Sequence, residues 1–245
     1  MALEQLQYNI IAILDTETTG LPSTKAITVE TMDKWPYIVQ FTFIIYDISK
    51  NQILEISDDI IHLNDNIDIH EQSIACHGIT REISQQSNVY IETPFAKFIQ
   101  SLEYHKVQCI VGHNISFDID MVHVEYLRQI QNSSMPEARN NALKVGLNTV
   151  LYYPKFCTMK HSIAICKIVA KRKNGSSYHK YPRLGELYQH LFQSSILNLH
   201  NSMIDTMATL RCYYQLIYQT DLVELDEEYR TKLNELCVFA DPVES

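Results

Sequence analysis

The sequence predicts an α/β protein in which helices flank a mixed β-sheet, folded as a single domain. Three features indicate this class. Tyr8–Leu14 is an almost unbroken apolar run, typical of a strand that is covered on both faces. Two β-rich runs follow, Tyr37–Tyr46 and Gln52–Ile61, and the short polar turn between them predicts a hairpin. The rest of the chain reads as further short strands and helices, which completes a mixed sheet.

The spacing of apolar residues predicts the remaining elements. We expect a helix over Pro94–Tyr104, a strand over Val107–Val111 and a helix over Ile115–Gln131. Asn132–Asn148 is polar and weakly patterned, so we expect a loop or an insertion there. The last expected elements of the body are a strand at Phe156-Cys157 and helices at Met159–Ala170, Leu184–Phe192 and Met203–Tyr218.

Residues 1–220 are expected to form the domain, and residues 221–245 an acidic tail. The tail contains eight acidic residues and two basic ones. We expect it to be helical and to pack on the domain.

The bulk properties favour an intracellular protein, in the cytoplasm or nucleus, that does not contact a membrane. No apolar run approaches the ~20 residues that span a bilayer, and the first residues lack the layout of a signal peptide. The six cysteines form no CxxC pair, which indicates free thiols in a reducing compartment. A net charge of −9 does not exclude nucleic-acid binding, because cations held by carboxylates can supply a positive field.

Carboxylates stand at the ends of three predicted elements. Asp15 and Glu17 come where the first strand ends, and alternation along an extended chain puts both on one side. Asp118 and Asp205 each occupy the first turn of a helix, and His200 precedes Asp205 by five positions. Solvated strand ends and charge at helix N-termini would explain each residue alone. Because ligands gather at the carboxyl ends of strands in α/β sheets, we expect Asp118 to lie near Asp15 and Glu17.

Four carboxylates and a histidine are the groups that two-metal phosphodiester hydrolysis requires. Mg²⁺ and Mn²⁺ prefer carboxylate and water oxygens. Two such ions roughly 3.5–4 Å apart can hold the attacking and leaving oxygens of an in-line displacement. A histidine can accept the proton of the attacking water. The sequence therefore predicts a site for two Mg²⁺ or Mn²⁺ ions.

Three motifs, in chain order, resemble those of the DEDDh superfamily of 3′→5′ exonucleases. Asp15–Leu21 resembles the first motif, His113–Asp118 the second, and His200 with Asp205 the third. The superfamily includes the proofreading subunit of bacterial DNA polymerase III, ribonuclease T and the animal three-prime repair exonucleases. Further matches are Pro36–Gln40, His77–Thr80, Cys157–Met159 and Leu184–Tyr188.

The resemblance implies a ribonuclease-H-like fold and an enzyme that releases 5′-mononucleotides from nucleic-acid 3′ ends. It implies that Asp15, Glu17 and Asp205 hold one metal ion, and that Asp118 joins Asp15 at a second, directly or through water. His200 would be the general base. The residues expected to seat the terminal nucleotide are Thr18, Leu21, His77, Asn114 and Phe117. The alternatives are core packing for Leu21 and Phe117, and turn hydrogen bonding for His77 and Asn114.

A basic segment, residues 171–183, contains five basic residues, two tyrosines and no acidic residue. A flexible loop of this composition suits a single strand, because phosphates meet the charges and bases stack on the rings. We therefore expect Lys171, Arg172 and Lys173 to bind substrate. A solvated loop without a partner is the alternative.

Three functions remain open at this point. The leading one is digestion of single-stranded or frayed DNA 3′ ends in proofreading, repair or degradation, together with a polymerase or another replication or repair partner. Trimming of RNA by the same site is the second. The third is a catalytically silent nucleic-acid-binding or scaffold module, which the loss of a carboxylate or of the histidine would favour; all five residues are present.

Overall fold

A five-stranded mixed sheet forms the centre of the fold. The computed structural model describes residues 8–131 and 136–240. The strands of the main sheet are β1 Ile10–Thr18, β2 Ile38–Asp47, β3 Gln52–Ile60, β4 Cys109–Gly112 and β5 Lys155–Cys157. Their order is β3-β2-β1-β4-β5. β1, β2 and β3 pair antiparallel, whereas β4 and β5 continue the sheet parallel to β1.

Helices cover both faces of this sheet, and two small strand pairs lie outside it. The pairs are β6 Val169–Lys171 with β7 Ser177–His179, and β8 Ser195–Ile196 with β9 Phe239–Ala240. The helices before the second motif are a short 3₁₀ turn at Met32–Lys34, α1 Glu71–His77, α2 Arg81–Gln86 and α3 Glu92–Tyr104. Those that follow are α4 Ile115–Ile130, α5 Glu137–Tyr152, α6 Thr158–His161, α7 Ile163–Cys166, α8 Leu184–Phe192, α9 Ser202–Tyr218, α10 Leu222–Leu225 and α11 Glu227–Leu236.

The unbroken apolar run of β1 is explained by its two covered faces. Ile11 and Ile13 belong to a core with α8 and α9, whereas Ala12 and Leu14 belong to a second core with α3 and α4. All four side chains are fully buried. The predicted fold class is confirmed: a mixed five-stranded sheet flanked by helices, in one domain.

Three predicted elements were wrong in detail. Residues 137–148, expected as a loop, belong to α5, and residues 132–135 lie outside the described residues. Helix α5 buries only Gly146, Leu147 and Val150, so its polar surface hides its periodicity. The single helix expected over Met159–Ala170 is two short helices, α6 and α7, followed by strand β6. The basic segment is not a flexible loop throughout, because β7 pairs with β6.

The first strand continues past its predicted end. β1 extends to Thr18, since its pairing with β2 continues through Glu17 opposite Gln40. Asp15 and Glu17 therefore lie within a strand and not after one. The polar stretch before α3 also contains two helices, α1 and α2, that the apolar pattern does not reveal.

The acidic tail contains α10 and α11 as far as it is described, with residues 241–245 outside the described residues. Tyr229 and Leu233 of α11 are buried in the core that contains α9. The Tyr46 hydroxyl of β2 donates to Asp226 Oδ2 at 3.0 Å. A division of the chain at residue 220 stays a prediction. In the described part of the chain, no helix is both long and apolar enough to cross a membrane.

Candidate active site

Three carboxylates gather where β1 meets the first turn of α9. One oxygen from each of Asp15, Glu17 and Asp205 lies within 4.8 Å of the other two. Alternation along β1 turns Asp15 and Glu17 toward the same face as Ile11 and Ile13, the face that α9 covers. The strand and the helix thus bring together residues that are distant in sequence.

The first turn of α9 is fixed by capping. The Asn201 side chain accepts hydrogen bonds from the backbone N–H groups of Met203 (3.1 Å) and Ile204 (3.4 Å). The Ser202 hydroxyl donates to the backbone oxygen of Asp15 at 2.8 Å, which ties the helix to β1. These bonds hold Asp205 against the strand carboxylates.

Crowding of like charges marks this cluster. Burial raises the pKa of Asp15 well above its usual range, and the charges of Asp118, Asp205 and Glu17 raise it further. Burial, together with Asp205 and Asp118, raises the pKa of Glu17 to about 8. Burial raises the pKa of Asp205 to about 7, against the opposing effect of a hydrogen bond from the His200 backbone. The cluster is therefore electrostatically strained unless a proton or a cation balances it.

Asp118 lies beside this cluster but is not one of the three clustered carboxylates. Its Oδ1 accepts hydrogen bonds from the Thr16 backbone N–H (3.1 Å) and hydroxyl (2.9 Å). Thr16 alternates with Asp15 and Glu17, so this contact is on the α4 side of β1. Burial raises the pKa of Asp118 to about 7, although the bonds from Thr16 oppose the shift. After burial, its charge is the next largest cause of the raised pKa of Asp15.

His200 stands just before α9 with an exposed side chain. Its backbone N–H donates to Asp205 Oδ1 at 3.2 Å. Its φ of 74° is in the left-handed region, which few non-glycine residues adopt, so the tight turn before the helix is strained. The neighbouring His200 also contributes, after burial, to lowering the pKa of His77.

A cleft of about 470 Å³ opens beside Glu17. Four of the five residues predicted to seat a nucleotide line it: Thr18, Leu21, His77 and Phe117. Leu21 is 83% exposed, so core packing does not explain it, whereas Phe117 is partly buried against the α4 core.

Hydrogen bonds to the backbone hold the His77 ring, in agreement with the alternative explanation of turn hydrogen bonding. Its Nδ1 accepts from the Ile79 N–H at 3.0 Å, so Nε2 carries the proton and donates to the Thr18 oxygen at 3.2 Å. Asn114 occupies the turn before α4 with a φ of 67°, and its carbonyl accepts from the Phe117 N–H at 2.8 Å. Among the described residues, Asn114 is the one predicted nucleotide-seating residue that does not line the cleft.

Residues of α1 and the residue before it that the sequence did not single out also line the cleft: His70, Gln72, Ser73 and Cys76. A Cβ atom on Gly20 would lie 2.4 Å from the His70 ring, so glycine is needed there for the close approach. The only signal in the sequence is this glycine directly after the first motif. Nothing in the sequence points to Cys76, an exposed thiol preceding His77.

The predicted basic residues lie on the β6–β7 hairpin, residues 169–179, away from the carboxylates in sequence. Lys171, Arg172 and Lys173 are exposed around its turn. Arg172 stacks over the Tyr178 ring at 4.8 Å. Gly175, with a φ of 82°, closes the turn and donates to the Arg172 oxygen at 2.9 Å.

His113 connects the segment after the hairpin to the second motif. Its Nε2 lies 3.1 Å from the Pro182 oxygen and its Nδ1 lies 2.9 Å from the Thr158 hydroxyl. Burial lowers the pKa of His113 to about 4, so the ring is neutral near pH 7. His113 precedes Asp118 by five positions, so this contact brings Pro182 next to the turn before α4.

The exonuclease family RNase_T matches residues 12–213, most of the chain. The chain belongs to this family. The predicted membership of the DEDDh exonuclease superfamily is confirmed, since this match spans all three motifs. No curated protein matches the chain.

Solved structures share the fold at low identity. Escherichia coli exonuclease I in complex with a 5cy-dT13 oligonucleotide is 16% identical, with a TM-score of 0.57 over 94% of this chain and 46% of that one. A 3′-exonuclease that recognises the 3′ end of the histone mRNA stem-loop is 13% identical, with a TM-score of 0.57 over 86% of this chain and 64% of its own. A full-length 3′-exonuclease is 13% identical, with a TM-score of 0.56 over 86% of this chain and 83% of its own. The chain thus spans about half the length of exonuclease I.

Proposed function

We propose that this protein is a divalent-metal-dependent 3′→5′ exonuclease that removes nucleotides one at a time from the end of a strand. One observation carries the proposal: Asp15, Glu17 and Asp205 gather within 4.8 Å beside a cleft in a chain of an exonuclease family. Direction rests on the DEDDh resemblance, in which the three motifs occur in the family's order.

The donor set fits a hard divalent cation. Asp15 Oδ2 is buried and has no hydrogen-bond partner among the described residues. The three clustered side chains offer only carboxylate oxygens, the ligands that Mg²⁺ and Mn²⁺ prefer. A cation would also balance the negative charges that, after burial, raise the pKa values of Asp15 and Glu17. In our proposal Asp15, Glu17 and Asp205 hold one ion, and Asp15 with Asp118 holds a second.

The chain's own residues would supply orientation and proton transfer. When bound, the cations would lower the pKa of the attacking water and offset charge on the phosphate. His200 would take the proton from that water. Its side chain is exposed, and its own backbone N–H donates to Asp205, which keeps the residue next to the carboxylate cluster. Ser202 and Asn201 would keep Asp205 in place during the reaction.

The cleft would hold the terminal nucleotide. Leu21 offers an exposed apolar surface for a base, and Phe117 offers an aromatic face from α4. Thr18 and His77 would shape the floor, since the His77 ring is already bound to the Thr18 backbone. Asn114 would act by setting the turn that presents Phe117.

The hairpin would bind the strand upstream of the scissile phosphate. Lys171, Arg172 and Lys173 are exposed and no acidic residue occurs in the 171–183 segment, so phosphates meet little repulsion there. The bond of His113 to Pro182 supports a location near the site, because it joins the segment that follows the hairpin to the second motif. The alternative is a solvated surface hairpin that binds no partner. The salt dependence of single-strand binding distinguishes the two.

DNA 3′ ends, single-stranded or frayed, are the substrate we propose, with replication or repair as the setting and a polymerase or another replication or repair protein as the partner. RNA is the second candidate substrate. It is favoured by one observation: a similar structure is a 3′-exonuclease that recognises a histone mRNA stem-loop, whereas exonuclease I was solved with a dT13 oligonucleotide.

Labelled strands test the function directly. The protein is incubated with single-stranded DNA, duplex DNA and RNA, each labelled at the 3′ or the 5′ end, with Mg²⁺, Mn²⁺ or EDTA. We expect labelled mononucleotide at once from the 3′ label and only late from the 5′ label. Cuts within a circular single strand would overturn the exonuclease direction, and activity in EDTA would overturn the metal dependence. Inertness on every substrate would favour the silent binding module.

A further inference from the structure

Gln40 on β2 links the strand that carries two carboxylates to the helix that carries the third. Its side chain is 2% exposed and it stands directly opposite Glu17 in the β1–β2 pairing. Its Oε1 accepts from the backbone N–H of Ser202 at 3.3 Å. The Ser202 hydroxyl in turn donates to the Asp15 oxygen at 2.8 Å. The buried amide of Gln40 therefore bonds the first residue of α9, and that residue in turn bonds β1.

The orientation of that amide is fixed from its other end. Gln40 Nε2 donates to Asp58 Oδ1 at 2.7 Å, and the Thr42 hydroxyl donates to the same oxygen at 2.6 Å. Because an ionised carboxylate only accepts, the amide nitrogen must face Asp58 and the amide oxygen must face α9.

The bond to Ser202 matters because the first N–H groups of a helix have no partner within the helix. Asn201 accepts from the next two, those of Met203 and Ile204, and Gln40 accepts from Ser202. The first turn of α9, which presents Asp205, is thus held by one residue of its own loop and one residue of the sheet.

We propose that Gln40 is a positioning residue that sets the separation of Asp205 from Asp15 and Glu17, and so controls the affinity for divalent cations. The inference rests on the proposed metal-dependent function. A neutral amide suits the place. An apolar side chain would leave the buried Ser202 N–H unpaired, and a carboxylate would add a charge opposite Glu17.

The test is a calorimetric titration of the wild type and its variants with Mn²⁺ alone. Gln40→Met keeps a similar volume but removes both hydrogen bonds. We expect its affinity for Mn²⁺ to fall about tenfold, the lower end of the loss seen when groups behind metal ligands are removed. Asp58→Ala frees the Gln40 amide and should give a smaller loss in the same direction.

Two controls separate positioning from general damage. Thr42→Val also loses a buried bond to Asp58 but makes none to α9, so its Mn²⁺ affinity should equal that of the wild type. Asp58→Asn removes the charge and keeps the accepting oxygen, and it should also bind Mn²⁺ normally. The melting temperature of each metal-free variant shows how much the fold itself has lost.

The outcomes are distinct. Wild-type Mn²⁺ affinity in Gln40→Met would overturn the inference, as would an equal loss of affinity in Thr42→Val. If the wild type itself binds no Mn²⁺, the proposed metal-dependent function fails. If Gln40→Met binds Mn²⁺ more weakly while the wild type and both controls bind it normally, the result supports the role of Gln40 and the proposed metal dependence.

Discussion

The carboxylate site joins residues from β1 and α9 that are far apart in the chain, whereas the basic hairpin is made of neighbours in sequence. The Asp15 backbone oxygen accepts from the Ser202 hydroxyl, and the Asp205 carboxylate accepts from the His200 backbone N–H. Lys171 and Lys173 are exposed around a turn closed by Gly175. Burial, and then the neighbouring negative charges, raise the pKa values of Asp15 and Glu17, whereas the hairpin cations are open to water. The difference suggests that substitutions in the first region change the rate of reaction and those in the second change the affinity.

The largest effect should come from the carboxylates. Asp15→Asn and Asp205→Asn should each reduce exonuclease activity to the assay background. Each change replaces a negatively charged carboxylate, proposed as a metal ligand, with a neutral amide. The metal-free variants should be at least as stable as the wild type, since one source of repulsion is gone. Single-turnover cleavage and metal-free thermal unfolding measure the two quantities. Near-normal cleavage in both variants would show that the chemistry lies elsewhere.

His200 should come next. His200→Ala should slow the single-turnover rate by about 10²–10⁴-fold, the range for loss of a general base. Its affinity for Mn²⁺ should stay unchanged, because His200 is not among the clustered carboxylates. An unchanged rate would remove His200 from the chemistry, and a lost Mn²⁺ affinity would make it a ligand.

The hairpin should affect affinity and spare the rate. Replacing Lys171, Arg172 and Lys173 together with Ala should flatten the salt slope of single-strand binding by roughly 0.7 units per lost phosphate contact, or about 2 units for three. Single-turnover cleavage at saturating substrate should change little, because uniform binding does not speed the chemical step.

The matched control replaces three exposed basic residues elsewhere, Lys106, Lys144 and Arg230, and so changes the net charge equally. Its salt slope should follow the wild type. If the two triple variants flatten the slope alike, the effect is one of net charge and the hairpin has no special contact. If the hairpin variant loses rate but keeps affinity, the contrast between the two regions is wrong.

The smallest effect concerns stability and pH. A carboxyl whose pKa is raised by folding holds its proton more tightly in the folded state than in the unfolded chain. That gain is complete below about pH 4 and is lost as pH rises through the folded values, which are about 8 for Glu17 and about 7 for Asp118 and Asp205. The cluster should therefore lower the melting temperature of the chelated protein as pH rises from 5 to 8, by roughly 2–4 °C per kcal/mol lost.

Other groups titrate in the same range, so the informative quantity is the difference from Asp205→Asn. That variant should lose less stability between the two pH values, and Mg²⁺ at the higher pH should raise the melting temperature of the wild type more than that of the variant. Parallel curves for the two proteins would mean that the cluster is not strained when metal-free.

Much of the site was predictable because its motifs are short and occur in order. The order of the motifs predicted that Asp15, Glu17 and Asp205 lie together, and the family resemblance singled out Leu21 and Phe117, which line the cleft. The hydrogen bonds from Thr16 to Asp118 could not be predicted from the sequence, because they depend on how α4 packs against β1.

The same reason explains the missed elements. β1 continues to Thr18 only because β2 pairs with it, a contact that a local pattern does not contain. Helix α5 hides its apolar side because Gly146 packs closely on Tyr126 and presents no side chain of its own. The hairpin had a usable signal in Asn174-Gly175, a turn pair, but its strands are three residues each and show no alternation.

The pairing of β8 with β9 ties the loop before His200 to the last described residues. Val238 donates to the Asn198 side chain at 2.8 Å, and Asn198 donates to the Leu236 oxygen at 2.8 Å. A cut after Leu225 that freed this segment would leave every motif in the chain and still remove both bonds from the loop. We expect such limited proteolysis to loosen the turn that carries His200 while every side chain of the proposed site stays intact.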